Sequence, residues 1–148
     1  MNTDKKIIQK IVLAGLVVKD GKILVLQRNS NEDIYPDMWE LPSGKREPLE
    51  PSNGSLTREI KEEAGIDIEV VMPVSIFDYQ IEKPEEIRDS TQINFIVIPK
   101  GTKDVKLSDE HQSFAWISDD EVDKYGMSEE TKNVIKKAFG VIKKIDLQ

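Results

Sequence analysis

Three glutamates at helical spacing constrain the fold of this chain more than any other feature of its sequence. Glu59, Glu62 and Glu63 follow Pro51 in a segment whose apolar residues recur at every fourth position, and Gly65 stands where such a helix would end. Successive residues of an α-helix are rotated by about 100° around the axis, so the three glutamate side chains fall within one arc that is about 100° wide. The pattern therefore predicts one amphipathic helix that projects three carboxylates from a single face.

The same segment predicts how the helix begins and which side of it is buried. Ser52 or Asn53 would cap its N-terminus. Leu56, Ile60 and Ala64 form an apolar stripe that would pack on a sheet.

The carboxylate face is unfavourable for a helix that holds no ligand. Like charges three or four residues apart each cost roughly 0.2–0.5 kcal/mol, and Glu62 and Glu63 lie in the last turn, where the helix dipole favours cations. A divalent cation would remove both penalties. Because the chain has no cysteine and one histidine, the oxygen donors favour Mg²⁺, with Mn²⁺ as the alternative. Mg²⁺ shares its coordination shell with substrate phosphates, so the segment predicts a metal site for a phosphorylated ligand.

Two more charged residues would complete this face. Glu50, just before the helix, can fold back to join the carboxylates. Arg58 has a planar guanidinium that can reach a neighbouring carboxylate, and we expect it to contact Glu59 and fix the direction of that side chain.

The rest of the chain is mostly strands. The β-branched segments 11–18 and 23–26, separated by Asp20-Gly21, predict a hairpin. Further strands are predicted at 66–81, broken near Pro73, and at 92–98 and 114–117; Ser118 would cap a short helical turn and Ser128 a final helix. The buried side of that last helix would carry Val134, Ile135, Ala138, Phe139, Ile142 and Ile145. This order predicts the α/β class, a mixed sheet covered by helices on its faces.

Composition restricts the partners. Lys and Arg number 21 against 28 Asp and Glu, a net charge of −7, which argues against binding a nucleic-acid backbone over a broad surface. Residues 1–10 lack the features of a secretory signal, and no apolar run approaches about 20 residues. We expect one domain over residues 1–148, cytoplasmic and without membrane contact.

The segment from Gly44 to Ile66 resembles the Nudix box: Gly, five residues, Glu, seven residues, then Arg-Glu-aliphatic-any-Glu-Glu-any-Gly-aliphatic. Every specified position is filled. Outside the box, Gln27-Arg28, residues 39–42 (WELP) and Glu110-His111 with Trp116 are similar to the MutT-like branch of the Nudix hydrolases. The resemblance implies the Nudix fold, an α/β/α sandwich with a central mixed β-sheet, and hydrolysis of a nucleoside diphosphate linked to another moiety.

The resemblance also implies a metal site. Glu59, Glu62 and Glu63 would bind the cation, and the carbonyl of Ser43, the residue before the box glycine, would be a further ligand.

Proton transfer would need a carboxylate near the metal-bound water. The resemblance implies that catalysis involves Glu59, Arg58, Glu62 and Glu110, with Glu59 or Glu110 as the base. A solvated loop position is the competing interpretation for Glu110. For His111, surface packing is favoured over ligand contact.

Substrate recognition is less defined. Arg28, at the end of the second strand, would contact the phosphate chain, and Trp39 and Tyr79 offer aromatic faces, with core packing as the alternative. The resemblance implies that a side chain near the start of the last helix reads the base, and Thr131 or Asn133 would occupy that place.

Together these features predict a Mg²⁺-dependent pyrophosphohydrolase that converts a (d)NTP or a modified nucleotide to a nucleoside monophosphate and pyrophosphate. The alternative is a non-catalytic nucleotide-binding regulatory module on the same fold, and a third interpretation is an acidic interaction protein that binds no metal. A homodimer stays open, because the first strand and the last helix could each contact a second copy.

Overall fold

Residues 1–147, which the computed structural model describes, form seven strands, two α-helices and one short 3₁₀ helix. The strands are β1 (Lys6–Lys19), β2 (Lys22–Arg28), β3 (Trp39–Glu40), β4 (Ser43–Lys45), β5 (Asp67–Glu82), β6 (Glu86–Lys100) and β7 (His111–Ile117). The helices are α1 (Ser52–Ala64), the 3₁₀ helix (Asp119–Lys124) and α2 (Glu129–Lys144).

The strands form a mixed sheet in the order β3-β2-β1-β6-β5, with β4 paired to β1 and β7 paired to β2. β1 runs parallel to β6, whereas β5 and β6 are antiparallel. The predicted first hairpin is confirmed: Asp20 and Gly21 both have positive φ, 51° and 74°, as the tight primed turns of β-hairpins require.

The two helices cover opposite faces of this sheet. Along β1 the side chains alternate, so Ala14, Leu16 and Val18 pack on the side of α2, whereas Leu13 and Val17 pack on the side of α1. All five are at most 1% exposed. The fold is therefore the expected α/β/α sandwich with a central mixed β-sheet. No helix formed by residues 1–147 has both the length and the apolar character that a membrane crossing requires.

Helix α1 ends as predicted but begins differently. Gly65 terminates it in the left-handed conformation, φ 70°, and donates its N–H to the carbonyl of Lys61. The prediction that Ser52 or Asn53 caps the helix is wrong. Pro51 is the N-cap residue, with extended backbone and no side-chain cap, because its ring fixes φ and the helix starts directly after it.

Three details of the other elements also differ from the predictions. β5 is not broken at Pro73, because its pairing with β6 continues before and after the proline. The strand instead contains two register shifts, between Val70 and Met72 and between Pro73 and Ser75. β1 begins at Lys6, since its parallel pairing with β6 extends that far. Ile145 lies after the end of α2 and is 44% exposed.

Two glycines offer a matched test of backbone stability. Gly140 lies within α2, and an added Cβ would meet no atom within 4 Å. We expect Gly140→Ala to raise the free energy of unfolding by about 0.5–1 kcal/mol in urea denaturation, because alanine loses less conformational entropy in a helix. Gly65→Ala should lower it, because Gly65 has a positive φ and its Cβ would lie 3.0 Å from Lys106. Equal effects at the two sites would contradict this reasoning.

Candidate active site

The C-terminal end of α1 and strand β4 form a cleft of about 430 Å³. The loop before β7 closes its third side. The cleft is lined by Ser43, Gly44, Glu59, Glu62, Glu63, Ser108, Asp109 and Glu110. The structure therefore brings together the four residues predicted to bind metal and the candidate base Glu110.

Gly44 gives Glu59 access to this cleft. A Cβ built at Gly44 would overlap the carboxyl group of Glu59. The box glycine is thus required by close approach, since the carboxylate occupies the space of the missing side chain.

Arg58 holds the carboxylates on the outer side of the cleft. Its Nε and Nη2 donate to both oxygens of Glu50, at 2.8 and 3.0 Å, and Nη1 donates to Glu59 Oε1 at 2.9 Å. Nη1 also lies 3.4 Å from Glu62 Oε1. The guanidinium therefore orients Glu59 while anchored on Glu50.

Glu50 does not join the metal-facing carboxylates, contrary to the expectation from sequence. Its hydrogen bonds from Arg58, together with the backbone N–H of Glu47, lower its pKa to about 2. The reason is geometric: both oxygens are already engaged by the fork of Arg58, so Glu50 acts on the cleft through that arginine.

Glu63 is the most buried of the acidic residues, 8% exposed. Burial raises its pKa to about 9, and the negative charges of Glu40 and Glu110 add to this, although Oε1 accepts a hydrogen bond from the N–H of Ser43 at 2.7 Å. Burial also raises the pKa of Glu59, against the opposing effect of Arg58. Carboxylates in such surroundings are poorly stabilised as anions unless a cation binds between them. This donor set of oxygens fits a hard divalent cation.

His111 is buried, so the prediction of surface packing is wrong. It starts β7 opposite Arg28 on β2, which turns the ring inward to 5% exposure. Nε2 lies 2.9 Å from Glu40 Oε2. One ring nitrogen and one carboxylate oxygen each of Glu63 and Glu110 lie within 4.8 Å of one another.

A second cavity, of about 500 Å³, adjoins the cleft and shares Ser43, Glu63 and Glu110 with it. Trp39 and Tyr79 line this cavity. Other lining residues are Tyr35, Phe77, Gln92, Ser128, Glu130 and Thr131.

Arg28 also lines this cavity, but its guanidinium is engaged by its own surroundings. Nε donates to the carbonyl of Ile34 at 3.0 Å, Nη1 faces Glu40 at 3.4 Å and Nη2 faces Glu32 at 3.5 Å. These contacts tie the loop 29–37 to the end of β2.

Hydrogen bonds also hold the C-terminal end of the loop 29–37. Asp37 accepts hydrogen bonds from Ser30 at 2.6 Å and from Gln112 on β7 at 2.7 Å. Ile34 and Tyr35 of this loop form one wall of the larger cavity.

Asn133 does not reach the cavity. Ser128 caps α2 by accepting from the N–H of Thr131 at 3.1 Å. This start of the helix directs Glu130 and Thr131 to the cavity, whereas Asn133 is exposed. Of the two residues weighed from sequence, Thr131 is the one the structure brings to the cavity.

Sequence reasoning missed Gln92, although a signal was present. Ser90, Gln92 and Asn94 are polar residues at alternate positions of strand β6, which places them on one face. Gln92 donates to Asn94 Oδ1 at 2.8 Å, and Asn94 in turn contacts Ser75. The amide of Gln92 is thereby held at the cavity wall.

Comparisons with known proteins agree with this geometry. The profile of the NUDIX domain matches residues 9–138. Nucleoside triphosphatase NudI of Salmonella paratyphi B is 27% identical, over 86% of this chain and 94% of that protein. The solution structure of the E. coli ORF135 protein superposes with a TM-score of 0.66 at 27% identity, covering 99% of this chain and 98% of that one. The crystal structure of a MutT protein from Methanosarcina mazei Go1 has a TM-score of 0.69 at 23% identity, covering 99% and 100%.

Proposed function

Since the chain belongs to the NUDIX domain family and is a MutT-like Nudix hydrolase, we propose that it is a Mg²⁺-dependent pyrophosphohydrolase. Its substrate would be a nucleoside triphosphate or a modified nucleotide, and its products a nucleoside monophosphate and pyrophosphate. One observation carries the proposal. The carboxylate cleft opens into a larger cavity with aromatic walls, and the two share Ser43, Glu63 and Glu110. We propose that residues 1–148 act as one such domain.

Glu59, Glu62 and Glu63, with the carbonyl of Ser43, would hold the divalent cation. When bound, that cation would neutralise phosphate charge and lower the pKa of a coordinated water, with Mn²⁺ as an alternative to Mg²⁺. What supports this donor set is its arrangement around one cleft and the burial of Glu63 and Glu59.

Arg58 would fix the direction of the Glu59 carboxylate and keep it in the cleft. The contact at 2.9 Å and the anchor on Glu50 support this role. A lysine could not replace both contacts at once, because it lacks the planar fork.

Glu110 would accept the proton of the attacking water. What supports this choice over Glu59 is that Glu110 lines both cavities, whereas Glu59 already shares one oxygen with Arg58. Hydrolysis would break one phosphoanhydride P–O bond as the water oxygen forms a new P–O bond, and the products would be a nucleoside monophosphate and pyrophosphate.

In the larger cavity, Trp39 and Tyr79 would contact the base and Thr131 would supply a polar contact. Arg28 already binds the carbonyl of Ile34 and the carboxylate of Glu40. To contact the phosphate chain, its guanidinium would have to exchange these partners for phosphate oxygens when the substrate binds. These assignments rest on the lining of the cavity.

The proposal is tested by incubating the protein with Mg²⁺ and a panel of ribo- and deoxynucleoside triphosphates, modified nucleotides, ADP-ribose and dinucleoside polyphosphates. We expect a triphosphate to yield monophosphate and pyrophosphate, measured by chromatography, and EDTA to stop the reaction. Turnover confined to ADP-ribose or a dinucleoside polyphosphate would contradict the proposed substrate class.

Calorimetry separates hydrolysis from the regulatory alternative. A module that only senses nucleotides would bind one of them tightly and leave it intact over hours, with or without Mg²⁺. The intact set of carboxylates in the cleft favours the enzyme.

A further inference from the structure

The environment of His111 is unusual for a structural histidine. Its side chain is fully buried, and the ring stands beside carboxylates of three different elements: Glu40 of β3, Glu63 of α1 and Glu110 of the loop before β7. A ring nitrogen lies within 4.8 Å of oxygens of both Glu63 and Glu110. His111 is the only histidine of the chain.

Glu40 determines which ring nitrogen carries the hydrogen. A carboxylate only accepts, so Nε2 donates to Glu40 Oε2 across 2.9 Å, and a neutral ring then has its lone pair on Nδ1. Arg28 lies 3.4 Å from the same oxygen of Glu40 and helps to hold it.

Nδ1 has no partner within residues 1–147, although it is buried. Buried polar atoms are normally hydrogen-bonded, and each exception needs an explanation. No group among residues 1–147 hydrogen-bonds Nδ1, whereas a divalent cation could accept its lone pair together with those of neighbouring oxygens. Histidines that bind metals commonly donate their other ring N–H to a carboxylate, which is the contact that His111 makes with Glu40.

We propose that His111, which clusters with Glu63 and Glu110, is a nitrogen ligand of the divalent cation through its unpartnered Nδ1, while Glu40 orients the ring. This inference rests on the metal dependence of the proposed function. It adds an imidazole to a donor set that is otherwise oxygen. Imidazole suits transition metals better than Mg²⁺, so the site should bind Mn²⁺ more tightly than Mg²⁺.

The single histidine allows a direct test on the intact protein, prepared without a histidine tag. Mn²⁺ alone is added, and electron spin echo envelope modulation is recorded for unlabelled protein and for protein labelled with ¹⁵N only at histidine. We expect a ¹⁴N modulation that changes to the ¹⁵N pattern on labelling. No other residue could produce that change.

The possible results are distinguishable. Bound Mn²⁺ whose spectrum does not respond to histidine labelling overturns the inference and leaves the proposed function intact. A protein that melts cooperatively but binds no Mn²⁺ at millimolar concentration overturns both the inference and the metal requirement of the proposed function.

Two variants give an independent readout. His111→Gln should lose the nitrogen modulation and weaken Mn²⁺ binding by at least about tenfold in calorimetry, with a smaller effect on Mg²⁺. Glu40→Gln keeps an oxygen acceptor opposite Nε2 and should retain the modulation. Equal weakening of Mn²⁺ and Mg²⁺ by His111→Gln would overturn the inference. The labelling experiment needs neither variant to fold.

Discussion

Replacing Glu63 by glutamine should reduce Mg²⁺-dependent hydrolysis by at least about 100-fold, because the change removes a charged oxygen from the centre of the proposed metal site. Glutamine has nearly the same volume, and its amide oxygen can still accept the N–H of Ser43, which Glu63 contacts at 2.7 Å. The loss would therefore reflect charge rather than packing. The measurement is kcat/KM for pyrophosphate release.

The same variant should be more stable than the parent when metal is absent. Burial raises the pKa of Glu63 from 4.5 to about 9, so between these pH values the folded chain retains a proton that the unfolded chain has released. The free energy of unfolding of the parent then falls as pH rises through this range, by at most about 1.4 kcal/mol per pH unit. Glu63→Gln cannot ionise and should lack this slope.

Urea denaturation in EDTA at pH 5 and pH 8 measures the effect, and added Mg²⁺ should stabilise the parent but not the variant. Glu69→Gln, at an exposed position of β5, is the matched control and should change neither activity nor the pH dependence. If Glu63→Gln lowered the free energy of unfolding at pH 8 without metal, the buried, ionisable Glu63 would not be destabilising the parent as we expect. If the variant retained activity, the proposed ligand set would be wrong.

Gly44→Ala should reduce hydrolysis by about 100-fold with little change in melting temperature. The new Cβ would overlap the carboxyl group of Glu59, which must then leave its place in the cleft. A displacement of about 1 Å at a reacting centre can cost about 100-fold in rate. Stability should persist because the group that moves is the end of a flexible side chain, and because Gly44 does not have the positive φ that alanine avoids.

Gly54→Ala provides the control for this second variant. Gly54 lies in the same helix as Glu59, but a Cβ there meets no atom within 4 Å. It should retain full activity and gain stability, as expected for an exposed helical glycine. Full activity in Gly44→Ala would show that hydrolysis does not require the Glu59 carboxylate at its present position.

Features that depend on near neighbours in the chain could be predicted from sequence. The carboxylate face of α1 follows from the spacing of its glutamates, its end from Gly65, and the first hairpin from Asp20-Gly21. Each is decided by local geometry, either the period of a helix or the φ values that a turn demands.

Features that depend on distant pairing could not be predicted in the same way. His111 stands between Glu110 and Gln112, which gives it the appearance of a surface residue, and only the pairing of β7 with β2 turns it inward. The role of Glu50 depends on a two-oxygen contact with Arg58, eight residues away. The choice of Thr131 over Asn133 depends on the residue at which α2 begins, and helix ends are the least certain feature of a sequence pattern.

The ties that fasten the loop 29–37 have a consequence for the kinetics of binding. Since Ser30 and Gln112 both hydrogen-bond Asp37, an incoming molecule meets a segment that is already tied to β7. Its capture requires little prior rearrangement, and association should be limited by diffusion and charge repulsion rather than by slow closure of the protein. For an acidic protein and an anionic ligand, added salt should therefore accelerate association, until screening of the repulsion is complete.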